Sequence, residues 1–431
     1  MTDVAAAGTE SGTGTASGTG TGSGRRPVGR PWFIAGLGVG QIVSWGSLYY
    51  SFPLIAEAMG AELGYGKSQI YGATTLGLLI AAVAAYPIGS AIDRGRGRAV
   101  MALGSVAGGL LLLGWSRLDN LFAFYAMFAG MGLVQAMTLY EPAFAVVARR
   151  FGRDARAGIT ALTLWGGFAS TVFVPLIQFL LDRVGWRDTL LVLALVNLAL
   201  NAGLYAWIID PRADVAAPAV PRSAGDKGGR PDVLRRALAL PAFWGLALAF
   251  TAYYVTFSAL TFHLYPILVE RGLSAAAIVG VIAIIGPAQV AGRILIWAFG
   301  ADVPVRRIGV AVTAVFPVSV GILWLAPAGL PALAAFAVLQ GMANGVMTIV
   351  RGLAVPEMVS REAYGALNGA LALPGTVAKA FAPAAAALLW GLGGSYDAVL
   401  PVAFALTLVS AGGMVFAAAT ARRGGTRDQA L

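Results

Sequence analysis

The chain alternates long apolar stretches with short polar ones from residue 30 almost to its end. The apolar stretches fall at 32–57, 69–92, 98–116, 120–148, 157–181, 188–209, 240–268, 275–300, 307–326, 330–358, 364–392 and 398–421. Crossing a hydrocarbon core about 30 Å thick takes roughly 20 helical residues. The pattern therefore predicts an all-α membrane protein with twelve transmembrane helices. Two segments break the rhythm. The first 24 residues, with GTESGTGTASGTGTGSG, have neither a basic start nor an apolar core and read as a polar tail rather than a signal peptide. Residues 210–237 are rich in Pro, Gly and charge and read as a linker.

The halves on either side of that linker echo each other. LYYSFPLI (48–55) aligns with TFHLYPIL (261–268), pairing Tyr50 with His263 and Pro53 with Pro266. VQAMTLYEPA (134–143) aligns with NGVMTIVRGLA (344–354), and Asp93 corresponds to Asp302. The expected organisation is a tail at 1–29, a six-helix bundle at 30–209, a linker at 210–237, a pseudo-symmetric six-helix bundle at 238–421 and a tail at 422–431. Repeated halves of this kind place a substrate site near the midplane between them.

Composition sharpens the picture. Of 431 residues 58% are hydrophobic and only 12% charged, about half the charged share of a soluble domain. The net charge of +10 would suit nucleic acid, but its distribution has a simpler source. Of the 30 Lys and Arg, 22 lie in segments on the same side as the N-terminus. Five (Lys67, Arg117, Arg183, Arg187 and Arg271) lie on the other side, and three lie within spans. The positive-inside rule then puts both termini in the cytoplasm of a bacterial-type inner membrane, with the lipid bilayer rather than nucleic acid as the partner. With no cysteine and one histidine, neither a metal site nor a cofactor is expected. No full Gly-x-x-x-x-Gly-Lys-Ser/Thr phosphate loop (Gly66-Lys67-Ser68 has Ala61 where the first glycine is needed) and no paired acids are present, so the chain does not read as an enzyme.

The candidate chemistry lies in five ionisable residues deep inside spans: Glu141, His263, Arg293, Arg351 and Lys379. A charge at such depth costs about 2.5–3.5 kcal/mol even on insertion scales, so these residues should face a polar cavity or each other. The repeat sets Glu141 opposite Arg351, which suggests a charge pair, either static or one that exchanges partners with substrate or proton. Three cations against one carboxylate favour an anionic guest. Gln41, Trp45, Tyr49, Tyr50, Tyr253 and Tyr254 are candidate lining residues. The competing expectations are a Lys379 that snorkels to lipid headgroups and a His263 that only packs.

At GSAIDRGRGRAV (89–100) the chain resembles the major facilitator superfamily, whose loop between helices 2 and 3 follows a pattern near GxxxDRxGRR. Gly89, Asp93, Arg94 and Arg98 match it, while Arg96 and Gly97 stand where Gly then Arg are expected. GRILIWAFGADVPVRR (292–307) repeats part of it, and GWR (185–187) is similar to another feature of the superfamily. The resemblance implies a conformational latch at Gly89, Asp93, Arg94, Arg98 and Asp302. The basic residues in helices 8 and 11, Arg293 and Lys379, further resemble those of the oxalate/formate and monocarboxylate transporter families. The drug-antiporter signatures are missing, since Ala126 stands at the arginine position of helix 4 and helix 5 reads ALTLWGGFASTVFVPLI.

The expectation is a secondary transporter working by alternating access. It would carry a small organic anion such as a mono- or dicarboxylate, driven by a proton or counter-substrate gradient. Arg293, Arg351, Lys379, His263, Tyr50 and Gln41 would bind substrate, and Glu141 with Arg351 would couple. The alternative is efflux of drugs or of toxic neutral or metalloid compounds.

Overall fold

A computed structural model of the chain describes residues 29–152, 155–214, 235–300, 303–327, 329–360 and 364–421. The tail at 422–431, most of the expected linker, nearly all of the tail at 1–29 and the latch candidate Asp302 lie outside the described residues. All regular structure among these residues is helical. We number the helices α1 (30–63), α2 (Lys67–Ala91), α3 (Gly97–Trp115), α4 (Leu121–Phe151), α5 (155–184) and α6 (186–208). The second half holds α7 (Pro241–Glu270), α8 (Ala275–Phe299), α9 (Val305–Leu325), α10 (Leu330–Met358), α11 (Tyr364–Gly393) and α12 (Val399–Thr420). The order and bounds are consistent with the twelve expected spans.

Some passes run into one another with little loop between them. α2 meets α3 through residues 92–96, where Gly95 at φ +83° turns the chain, and Gly185 at φ +75° separates α5 from α6. Only glycine takes this conformation without strain. We call the side where α1 starts and α12 ends the basic face, and the opposite side the far face.

Without a hydrophobic drive between helices, membrane bundles gain contact where small residues let backbones approach. The repeat appears here as packing: α2 crosses α4 at Gly77 and Gly132, and α8 crosses α10 at Gly292, Gly341 and Gly345. A Cβ on Gly132 would collide with the Gly77 carbonyl, and one on Gly345 with the Gln289 carbonyl. The halves meet along α2–α11 and α5–α8. At the second seam the WGGFA segment (165–169) brings Gly167 against Gly286.

Gly345→Leu should overpack the α8–α10 crossing by about 1–3 kcal/mol or more and lower the thermal unfolding temperature in detergent. Gly203→Leu, at an exposed site with open space around it, should not.

Candidate functional site

The site begins with a break in α4. The helix stops at Thr138, Leu139 adopts extended backbone (φ −80°, ψ −156°), and helix resumes at Tyr140. Pro142 is the cause. It has no N–H to give the Thr138 carbonyl four residues earlier, and its ring disfavours continuous helix. An orphan carbonyl in a membrane needs another donor, and Gln41 Nε2 of α1 supplies it at 2.8 Å. The same nitrogen reaches Tyr205 Oη at 3.1 Å. Gln41 is fully buried in the first half and does not line the cavity described below. The break also accounts for Glu141, which falls in the first turn of the resumed helix. A helix N-terminus favours negative charge, and Glu141 is exposed, within electrostatic reach of Lys379 of the other half.

Across from the break, α1 widens into a π-helical turn at Gly46–Tyr50. Trp45, Tyr49 and Tyr50 project from this region, and Tyr140 joins them 5.0 Å from Trp45. Trp45 Nε1 and Tyr49 Oη have no hydrogen-bond partner among the described residues. Lys379 of α11 reaches across from the other half to lie 5.8 Å from the Tyr49 ring centre. Its amine therefore points inward, within electrostatic reach of Glu141 and Arg351.

Arg351 of α10 stacks over the Tyr254 ring at 4.4 Å, a contact worth about 0.5–2 kcal/mol. The expected pair is not closed here: no ion pair joins Glu141 to Arg351 among the described residues. Both lie within electrostatic reach of Tyr254 and Lys379. Arg293 of α8 is only 6% exposed. Its Nε donates to the Gly345 carbonyl at 3.3 Å and its Nη1 to the Thr163 carbonyl of α5, across the seam, at 2.5 Å. Nη2 is left without a hydrogen bond, and no carboxylate pairs with Arg293 among the described residues.

One helical turn from Arg293, which does not line it, lies a cavity of about 60 Å³ between the halves. Tyr50 lines it, as do Gln289 one turn from Arg293, and Gln340 and Asn344 of α10. The remaining wall is mostly apolar.

His263, on α7 between the cavity-lining Thr261 and Leu264, does not line the cavity and is fully buried. The Pro383 carbonyl can only accept, so Nε2–H donates to it at 2.9 Å and Nδ1 accepts from Tyr396 Oη at 2.8 Å. Tyr71 of α2 stacks on the imidazole at 4.0 Å and donates to the Phe262 carbonyl at 3.0 Å. That carbonyl is the one Pro266 leaves without a helical donor. Pro287 likewise frees the Ala283 carbonyl, which accepts from Thr171 Oγ1 of the first half at 3.0 Å. With Lys67 5.2 Å from the Trp390 ring and Tyr265 bonded to Gln178 at 2.8 Å, these bridges join the halves toward the far face.

The expected latch residues sit on the basic face. Asp93 and Arg94 are exposed, and Gly89 has open space around it. Arg98 donates from Nε to the Ile209 carbonyl at 2.7 Å and pairs with Asp210 at 3.3 Å. Arg149, at the end of α4, donates to the Asp93 backbone carbonyl and pairs with Asp214 at 2.8 Å. These ties stay within the first half and the start of the expected linker, and none reaches the second half.

Residues 37–328 match the family model described as Major Facilitator Superfamily. The chain belongs to that superfamily. Monocarboxylate transporter 11 of Homo sapiens is 29% identical over 398 residues, covering 89% of this chain and 73% of its own. Monocarboxylate transporter 13 of Rattus norvegicus is 26% identical over 390 residues, covering 89% and 86%. Among solved structures, a bacterial homologue of the human lysosomal transporter Spinster, inward-facing and unoccupied, superposes with a TM-score of 0.66. It is 14% identical and covers 92% of this chain and 96% of that one. This superfamily member is a multi-pass membrane transporter and not an enzyme.

Several of its structural residues escaped the sequence reading. Arg149 looked like one more basic anchor, and nothing local marks it as the partner of Asp93. Gln289, Gln340 and Asn344 are uncharged amides in apolar helices, and only the α8–α10 crossing brings them together. Gln41 carried a clear signal in retrospect, because Pro142 in a helical run always frees the carbonyl at Thr138.

Gln41→Leu should cost about 1–3 kcal/mol by leaving that carbonyl unpaired. Pro142→Ala restores a backbone N–H, so the double variant should lose less stability than the sum of the single variants in a thermal unfolding cycle.

Proposed function

We propose that the chain is a secondary active transporter for a small monocarboxylate, working by alternating access with Glu141 as its proton-coupling residue. The observation that carries this reading is Arg293, a buried guanidinium with no acidic partner and no hydrogen bond at Nη2 among the described residues, one helical turn from Gln289 in the wall of an interhalf cavity. A buried cation without a counter-charge is costly, and a carboxylate bound to Nη2 removes that cost. Lys379 and Arg351 add positive charge from α11 and α10, and the unpaired Trp45 Nε1 and Tyr49 Oη offer neutral donors. The curated relatives named monocarboxylate transporters support the same cargo.

By the positive-inside rule the basic face is cytoplasmic. The bridges toward the far face then describe an inward-facing state, in which Glu141 meets cytoplasmic water. Rocking of the halves would bring Glu141 toward Arg351 or Lys379 and exchange its partners. His263, held by Pro383, Tyr396 and Tyr71, belongs in this reading to the far-side closure rather than to the substrate contacts. Gln41 belongs to the support of the α4 break.

In proteoliposomes, uptake of labelled monocarboxylate should fall at least about tenfold in Arg293→Gln. Undiminished uptake would reject the anion reading, and changed drug resistance in cells would then favour efflux. Glu141→Gln should retain carboxylate exchange while losing the stimulation of uptake by an imposed pH gradient.

A further inference from the structure

Three amides line the interhalf cavity, Gln289 of α8 and the more deeply buried Gln340 and Asn344 of α10. Gln340 and Asn344 stand four residues apart on α10, hence on one face, and both line the cavity. They are 4% and 6% exposed. Amides at this depth need hydrogen-bond partners. Ser319 of α9 donates to Gln340 Oε1 at 2.8 Å. That bond orients the amide and leaves Nε2 unpaired among the described residues. Asn344 Oδ1 is buried without a partner among the described residues. The surrounding wall is apolar, with Leu54, Val174, Leu264, Ile285 and Phe336. Asn344 also adjoins Gly345, whose carbonyl holds Arg293 Nε, so the amide pair sits next to the proposed carboxylate anchor.

We infer that Gln340 and Asn344 form a hydroxyl-recognition subsite, and that the preferred cargo is a hydroxylated monocarboxylate with a short apolar chain. This rests on the anion reading. A hydroxyl accepts from Gln340 Nε2 and donates to Asn344 Oδ1 at once. A keto oxygen only accepts, and leaves Oδ1 orphaned. A methylene leaves both amides orphaned. Sites built to bond a hydroxyl reject analogues lacking it far more strongly than apolar pockets distinguish sizes. The cavity volume of about 60 Å³ is roughly four to six times the 10–15 Å³ that one water occupies. That room suits a hydroxyl and a branched chain of a few carbons.

The test measures proteoliposome uptake of three acids of one skeleton: 2-hydroxy-4-methylpentanoate, 2-oxo-4-methylpentanoate and 4-methylpentanoate. Wild-type protein should favour the hydroxy acid by at least about tenfold in kcat/KM over either analogue. Asn344→Leu and Gln340→Leu should each bring the ratio to 4-methylpentanoate within about twofold. Ser319→Ala should reduce the preference without inverting it. Equal handling of the three acids by wild-type protein overturns the subsite and leaves the anion reading standing. So does a preference that survives in both leucine variants. Absence of carriage of any of the three, with carboxylates in general failing to enter, overturns the anion reading and the subsite with it. Should a variant fail to fold, the wild-type ratio still decides.

Discussion

A hydrocarbon medium offers no water to a stray carbonyl or charge, so each must find a partner within the protein. The structure is organised around that requirement. Pro142, Pro266 and Pro287 each remove one helical donor, and each freed carbonyl is taken by a side chain from another helix: Gln41 at Thr138, Tyr71 at Phe262 and Thr171 at Ala283. The first of these bonds fixes the break that puts Glu141 at a helix start. The other two cross between the halves toward the far face. Proline placement thus decides both where a carboxylate is tolerated and where the bundles are joined.

Arg293 follows the same rule with a charge in place of a carbonyl. Two of its nitrogens are held by backbone carbonyls, one in each half, and the third has no hydrogen bond among the described residues. A single neutral hydrogen bond contributes only about 0.5–1.5 kcal/mol net, so the far-side bridges are weak enough individually to break in a rocking cycle. In the proposed mechanism an anion at Arg293 replaces missing counter-charge, and the small-residue crossings at Gly167 and Gly286 let the halves move against each other. The cation–aromatic contacts of Arg351 and Lys379 hold those charges inward without neutralising them.

The fold was legible because its signal is long and repeated. Twenty-residue apolar runs, the charge asymmetry and the paired prolines at 53 and 266 needed no tertiary information. The inward direction of Arg293, Arg351 and Lys379 was legible from cost alone, since depth made lipid exposure expensive. What stayed hidden depends on helix rotation and on which helices cross. Gln41 looked like a cavity residue until the Thr138 carbonyl became visible as its acceptor. His263 looked like a mouth residue, yet Pro383 and Tyr396 engage both ring nitrogens. The repeat aligned Glu141 with Arg351 in sequence, but the broken α4 and the stacking on Tyr254 keep them apart in this state. The amides of α10 gave no warning, because an uncharged residue in an apolar run reads the same whether it faces a neighbour or a cavity.

The central claim is that a carboxylate seats on Arg293 between the halves. A structure of the protein with a bromine-labelled monocarboxylate bound, located by the halogen's anomalous signal, addresses it most directly. The account predicts a carboxylate oxygen about 2.8–3.0 Å from Arg293 Nη2, with the labelled chain in the cavity beside Tyr50. A carboxylate bound elsewhere, touching none of Arg293, Arg351 and Lys379, would contradict it.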